Sequence, residues 1–161
     1  MGYYKTSIIC ENGHLVTGDS NGNNIDNKYC RKCGAKTITS CLKCETPIRG
    51  RYKIEGFADL TSYNYVPSYC HNCGEPYPWT KSALEASKIL INEDENLTND
   101  EKQQFCESIP DLLVEESTPR TKVAIVRFKK FLGKAATYTA DGIKDIFIDV
   151  ASETIKKSLG I

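Results

Sequence analysis

The sequence predicts an α+β protein, in which a small β-rich N-terminal region precedes a helical C-terminal region. Eight of the nine tyrosines and seven of the eight cysteines lie before residue 81, among short strand-like runs and glycine turns. After Trp79 the apolar residues recur at helical spacing. These changes divide the 161 residues into three segments, 1–80, 81–118 and 119–161.

The net charge of zero is a cancellation between these segments. Residues 1–80 carry nine basic and seven acidic side chains, a net charge of +2. Residues 81–118 carry three basic and ten acidic side chains, a net of −7, and residues 119–161 carry nine and four, a net of +5. The whole chain is therefore neither a strongly basic nucleic-acid binder nor an acidic tail.

Six of the cysteines form three Cys-x-x-Cys pairs, at 30/33, 41/44 and 70/73. This spacing suits a turn that directs two sulfurs at one metal ion, whereas a disulfide framework does not favour it. The N-terminus shows no signal-peptide pattern, which predicts a cytoplasmic, reducing environment. We therefore predict zinc sites.

Three pairs leave one tetrahedral site two ligands short, and the segment C-E-N-G-H supplies them. The sequence thus predicts two zinc ions, with the ligands taken in chain order. Site 1 comprises Cys10, His14, Cys30 and Cys33, and site 2 comprises Cys41, Cys44, Cys70 and Cys73. Spacing alone leaves open an interleaved cross-brace, typical of RING-type ligase adaptors, and it leaves open iron at the all-cysteine site.

These motifs carry a resemblance. The segments C-E-N-G-H, KYCRKCGAKTITSCLKCETPIRG and YCHNCGEPYPW resemble the double zinc ribbons of many prokaryotic proteins. Together with PYPWT and TPRTKVAIVRFKKFLGK, they make the whole chain resemble a small bacterial family known only as a domain of unknown function. The resemblance implies a ribbon fold and zinc, and it implies no activity.

The segment between the second and third pairs alternates like strands over Ile48–Gly56 and Ser62–Tyr69, which predicts a hairpin. Arg49, Arg51 and Lys53 are predicted to share one strand face, followed by Phe57, Tyr63 and Tyr65. A basic strand near aromatic rings is typical of single-stranded nucleic-acid binding. The small net charge opposes this function, since seven thiolates around two Zn²⁺ add about −3.

Helix signals follow Trp79. Ser82–Glu85 and Thr98–Glu101 read as capping boxes, and Thr118–Pro119 reads as an N-cap followed by the first helical residue. A stripe from Ile143 to Ile155 predicts one helix over Asp141–Leu159. It follows a basic amphipathic helix within residues 120–134, and together they predict a helical hairpin.

The basic helix allows three interpretations. It can pair with the acidic segment 81–118, lie on an anionic membrane surface through its phenylalanines, or contact phosphates. The sequence lacks nucleophile-elbow, P-loop, dinucleotide and H-E-x-x-H motifs, and four-ligand zinc sites have no open position. We therefore expect a non-enzymatic zinc protein whose helices bind a protein partner or self-associate, with nucleic-acid binding as the alternative.

Overall fold

A computed structural model describes residues 1–21 and 27–161. Four strands come first: β1 (Gly2–Cys10), β2 (Leu15–Ser20), β3 (Thr37–Ile38) and β4 (Arg49–Ile54). The helices are α1 (Pro78–Glu93), α2 (Asn99–Ser108), a 3₁₀ turn (Ile109–Leu112), α3 (Pro119–Lys134), α4 (Thr137–Val150) and α5 (Glu153–Leu159). The predicted α+β class is confirmed. The chain divides into a ribbon unit, Met1–Trp79, and a helical unit, Thr80–Ile161, which contains both predicted C-terminal segments.

Strand β1 is the centre of the ribbon unit's sheet, since every other strand pairs with it in antiparallel fashion. Strand β2, which the sequence analysis did not predict, pairs with β1 from Thr6 to Ile9. Strand β3 pairs with the end of β1, and β4 pairs with its beginning, from Gly2 to Thr6. A Cβ atom at Gly50 of β4 would collide with the carbonyl oxygen of Gly18 in β2. The two outer strands therefore approach each other closely at these glycines.

A β-bulge in β4 separates the cations that the sequence placed together. Tyr4 pairs with Tyr52 and Thr6 pairs with Arg49, so three steps along β4 match two along β1. The extra residue reverses the side-chain alternation, and Arg49 shares a face with Tyr4 and Tyr52 rather than with Arg51. The predicted single stripe of Arg49, Arg51 and Lys53 is therefore wrong.

The predicted hairpin between Ile48–Gly56 and Ser62–Tyr69 is also wrong, because the second segment forms no strand and β4 pairs with β1. Residues 62–69 contribute no strand to the sheet. Their anchor is Tyr63, whose ring occupies the space above Gly18 and whose hydroxyl donates a 3.0 Å hydrogen bond to the Arg49 carbonyl. Side-chain packing replaces strand pairing in this segment.

Two of the three predicted helix starts are confirmed. Thr98 and Thr118 are N-caps whose hydroxyls accept the backbone N–H three residues on, and Pro119 begins α3. The predicted start at Ser82 is wrong, because α1 begins at Pro78. The helix predicted over Asp141–Leu159 is divided in two by Ala151 and Ser152, and the Ser152 hydroxyl caps α5.

Phenylalanines form the centre of the helical core. Phe128 of α3 lies 5.8 Å from Phe105 of α2 and 5.2 Å from Phe147 of α4, measured between ring centroids. Phe131 packs on Phe105 at 5.4 Å. All four side chains are fully buried. The basic helix of the sequence analysis is α3, and its apolar face, with Phe128 and Phe131, is therefore buried in the core of the helical unit.

The basic helix also pairs with the acidic segment, as one interpretation predicted. The Lys134 ammonium lies 2.7 Å from a Glu101 oxygen, and the Arg120 guanidinium lies 3.3 Å from Asp111. Lys134 lowers the pKa of Glu101 to about 2, helped by the Thr98 N–H. Within residues 1–21 and 27–161, no helix is long and apolar enough to cross a membrane.

Asp94, at the end of α1, is a buried carboxylate that the sequence analysis did not identify. One oxygen accepts the N–H groups of Asn96 and Leu97, at 2.8 and 3.0 Å, and the other accepts the Ala136 N–H at 2.8 Å. Burial alone would raise the pKa of Asp94, but the nearby Thr139 side chain and the hydrogen bonds from these N–H groups outweigh it and lower the pKa. Asp94 thereby ties α1 to the start of α4, whose N-cap Ala136 has no capping side chain.

Replacing this carboxylate is expected to destabilise the helical unit in a pH-dependent way. Asp94→Asn turns one acceptor into an amide donor, and we expect a loss of about 2 kcal/mol in unfolding free energy at neutral pH. Because the folded pKa lies below the unfolded value of about 3.9, the wild-type advantage exists above that pH and shrinks below it. Urea unfolding followed by helical circular dichroism, at neutral pH and at a pH below about 3.9, measures the difference in stability between the wild type and Asp94→Asn. Asp145→Asn, at an exposed position, is the control. A gap that stays constant with pH would contradict the role of the charge.

Candidate metal centres

Four tight turns position all the predicted ligands. In each Cys-x-x-Cys turn, the first cysteine's N–H bonds to the carbonyl five residues on, as from Cys30 to Ala35 at 2.8 Å. Its own carbonyl accepts the N–H four residues on, as from Gly34 at 2.8 Å. The residues that flank each of these turns pair through a single antiparallel β-bridge, as Tyr69 does with Pro76. The turn at Cys10 is one residue shorter, because the Cys10 carbonyl accepts the Gly13 N–H.

Each turn contains one residue with positive φ. Three are glycines, at 84° for Gly13, 72° for Gly34 and 71° for Gly74. The equivalent residue of the 41/44 turn is Glu45, at 58°, the only non-glycine residue with positive φ in the described chain. The backbone of that turn therefore carries strain that glycine avoids in the others.

Substitutions at these equivalent positions are expected to have opposite effects. Gly74→Ala meets no atom within 4 Å, so its cost is backbone strain alone, about 1–2 kcal/mol of unfolding free energy. Glu45→Gly removes such strain while loosening the unfolded chain, so we expect a change between zero and about 1 kcal/mol in the stabilising direction. Urea unfolding of the metal-loaded protein, followed by Trp79 fluorescence, measures both. A destabilising Glu45→Gly would show that its side chain matters more than its backbone.

The first cluster brings together Cys10, His14, Cys30 and Cys33. The His14 Nδ1 atom lies 3.5 Å from the Cys10 sulfur, 3.3 Å from the Cys33 sulfur and 3.7 Å from the Cys30 sulfur. The sulfurs of Cys10 and Cys33 are 3.8 Å apart. Cys10 and Cys30 are buried, whereas Cys33 is exposed.

The second cluster brings together Cys41, Cys44, Cys70 and Cys73. The sulfurs of Cys41 and Cys73 are 3.7 Å apart, and those of Cys44 and Cys70 are 3.6 Å apart. Burial follows the same order as in the first cluster, with Cys73 exposed. The clusters therefore group the ligands in chain order, and the interleaved cross-brace does not occur.

These spacings fit a tetrahedral metal ion. A centre with metal–sulfur bonds of about 2.3 Å places its sulfurs about 3.8 Å apart, and a nitrogen ligand shortens that distance slightly. The sulfur pairs match this edge length, and a disulfide would require about 2.05 Å. None of the eight cysteines forms a disulfide. Each cluster can hold one metal ion with four protein ligands.

Hydrogen bonds favour the thiolate form that a metal requires at two of the ligands, Cys33 and Cys44. The Ala35 N–H and the Asn12 side-chain amide lower the pKa of Cys33 to about 6, and the amide lies 3.4 Å from the sulfur. The Thr46 hydroxyl, 3.2 Å from the Cys44 sulfur, and the Thr46 N–H lower the pKa of Cys44 to about 5. The sequence analysis identifies neither Asn12 nor Thr46 as a functional residue. The available sequence signal was that Thr46 lies two residues after Cys44, within reach of its sulfur.

Tyr77 and Trp79 form the apolar support of both clusters. Their rings stack at 4.8 Å, and the Trp79 indole donates a 2.9 Å hydrogen bond to the Pro67 carbonyl. They share a buried core with Cys41 and Cys70 of the second cluster. A Cβ atom at Gly13 would lie 3.0 Å from the Trp79 Cβ, so the tryptophan also packs on the turn of the first cluster.

A family model confirms the predicted resemblance. It matches residues 3–159 and describes an uncharacterized protein conserved in bacteria (DUF2321). The chain belongs to this family. The match covers both clusters and the helical unit. The searches of curated proteins and of solved structures found no match. The DUF2321 description names no activity, so the chemistry of the clusters and surfaces is the basis for a function.

Proposed function

We propose that this DUF2321 protein is a non-catalytic zinc-binding interaction protein. The observation that supports this is the closure of both clusters, because four protein ligands at tetrahedral spacing leave no position for a substrate or an activated water. The ribbon unit then acts as a rigid scaffold around two ions, and the helical unit supplies the surface for a protein partner.

Zinc is the metal that best suits the ligands. A set of three cysteines and one histidine is typical of structural zinc sites, and the second cluster repeats its turns and burial order. Metal analysis of protein purified without added metal is expected to give about two zinc ions per chain. Visible absorption from an iron–thiolate centre would contradict zinc at the all-cysteine site. One ion, with His14→Ala causing no change, would remove the first site.

We place the partner surface of this proposal on the outer face of α3. Val123 is 53 % exposed and Val126 is 66 % exposed, and they line a cavity of about 520 Å³. Lys122, Arg127 and Lys130 border the same cavity, and no ion pair involving them occurs in the described chain. Apolar residues between unpaired cations suit a partner segment that carries both carboxylates and apolar side chains.

The exposed face of α3 is less suited to a membrane surface than to a protein segment. The phenylalanines that would insert into a lipid surface, Phe128 and Phe131, are each 1 % exposed and belong to the helical core. Two of the basic residues, Arg120 and Lys134, are already paired with acidic side chains. A short valine patch remains, and it is better matched in size to a protein segment than to a bilayer.

A photo-crosslinking amino acid placed at Val126 in native cells tests this surface. We expect a discrete protein adduct whose crosslinked segment, identified by mass spectrometry, contains acidic and apolar residues. The same group at Ile148 of α4, which is 48 % exposed, is the matched control and is expected to give no such adduct. Adducts with lipid alone, or equal adducts at both positions, would contradict the proposal.

A further inference from the structure

The ribbon unit contains a second feature that the metal clusters do not use, a cavity of about 410 Å³ lined mainly by tyrosines. Six of its ten lining residues are Tyr4, Tyr52, Tyr63, Tyr65, Tyr69 and Tyr77. Arg49 and His71 also line it, and no carboxylate does. A volume of about 300–1,000 Å³ is typical of pockets for small ligands.

The tyrosine rings present faces and edges in fixed relative positions. Tyr4 and Tyr52, which are paired across β1 and β4, contact edge to face at 4.9 Å. Each is about half exposed, at 53 % and 48 %. Tyr77 is 2 % exposed and is held from behind by its stack on Trp79. The cavity is thus a preformed aromatic site with a rigid wall.

Arg49 supplies a positive charge to this site. Its guanidinium carbon lies 4.9 Å from the centre of the Tyr4 ring, a cation–π contact that holds the group beside the cavity. The β-bulge places it there, whereas Arg51 lines a different cavity and lies 3.6 Å from the Asp59 carboxylate. One guanidinium among aromatic rings, without a carboxylate, favours a planar ligand that carries a negative charge.

We propose that this cavity binds one unpaired nucleotide, with its base stacked on the tyrosines and its phosphate held by Arg49. Stacking on tyrosine suits any base, because every base has a π face, and a guanidinium binds phosphate through paired hydrogen bonds. A cationic ligand such as a methylated amine would be repelled by Arg49. A base inside a duplex cannot enter, because its faces are already stacked. The proposal is independent of the partner surface on α3.

Fluorescence anisotropy with the zinc-loaded chain of 161 residues tests this site. Labelled octathymidylate is the probe, and unlabelled AMP and a duplex of the same length are competitors. We expect the single strand to bind and the duplex not to compete. The affinity should fall gently with salt, with a logarithmic slope near about −0.7, as for one phosphate contact. Strong competition by AMP would identify a free nucleotide as the ligand, and weak competition would identify a strand.

Two arginine variants separate the cavity from a general basic surface. Arg49→Gln is expected to weaken binding about tenfold or more, because it removes a charge-assisted hydrogen bond. Arg51→Gln is the matched control, with the same change two residues along the strand, and is expected to bind like the wild type. Tyr52→Leu tests the stacking wall and should also weaken binding about tenfold. Zinc content and Trp79 emission verify that each variant is folded.

Three outcomes would overturn the proposal. The first is that neither AMP nor the single strand binds. The second is that Arg49→Gln and Arg51→Gln lose the same amount of binding affinity. The third is that the duplex binds as strongly as the single strand. Equal losses would indicate non-specific attraction to the basic strand. None of these results would affect the crosslinking test at Val126, so the two proposals can fail separately.

Discussion

Removing the metal from the chain of 161 residues is expected to unfold the ribbon unit and leave the helical unit folded. The contiguous apolar cluster of the ribbon unit comprises seven buried residues, and two of them, Cys41 and Cys70, are candidate ligands. The candidate ligands Cys10 and Cys30 are buried as well. Structural zinc contributes about 10–16 kcal/mol to small domains of this kind. The fifteen buried residues of the helical core include no candidate ligand, so this unit does not depend on the metal.

Two signals report on the two units separately. Trp79 is the one tryptophan of the chain and lies in the ribbon core, so its emission should shift to the red when a strong chelator is added. Helical circular dichroism should remain nearly constant. Cys41→Ser should reproduce the Trp79 change without chelator, and Cys106→Ser, a cysteine packed against the helical core, should not. Loss of both signals at one chelator concentration would contradict the independence of the units.

The reciprocal experiment is Phe128→Ala, which is expected to destabilise the helical unit by about 3–5 kcal/mol. Phe128 contacts rings from both α2 and α4, so truncation leaves a cavity at the centre of the core. For a unit of this size, such a loss lowers the melting temperature by about 10 °C or more. The zinc content and the Trp79 emission should be unchanged.

Val126→Ala is the matched control for this experiment. It lies on the same helix but is 66 % exposed, and we expect its melting temperature to stay within about 2 °C of the wild type. A similar loss for both variants would contradict the role of core packing, because alanine has a higher helix propensity than valine and should not destabilise an exposed position of α3.

The metal clusters were predictable from sequence because their information is local. A Cys-x-x-Cys turn closes its own hydrogen bonds within six residues, and the number of ligands required Cys10 and His14. The choice between chain-order and interleaved grouping was not local. It depends on β1 bringing Cys10 beside Thr37, close to the Cys30 and Cys33 turn, and that pairing joins residues far apart in the chain.

The errors arose where distant residues override local preference. Ser62–Tyr69 has strand composition, but it forms no strand, and β4 pairs with the distant strand β1 instead. Pro78–Trp79 was taken as the boundary before α1, yet the helix begins there, because Pro is favoured in the first helical turn. The break at Ala151 and Ser152 leaves the apolar stripe intact, so periodicity alone could not locate it.

The bulge in β4 has a consequence for how this surface can change among related proteins. A substitution at Arg49 alters the tyrosine cavity, and a substitution at Arg51 alters the cavity beside Asp59, so neither needs to be compensated by the other. We expect the two positions to vary independently within DUF2321, although one residue separates them. Deletion of Gly50 would remove the extra residue and make Arg49 and Arg51 adjacent. A regular strand places adjacent residues on opposite faces, so the two arginines should stay separated even in a relative that lacks the bulge.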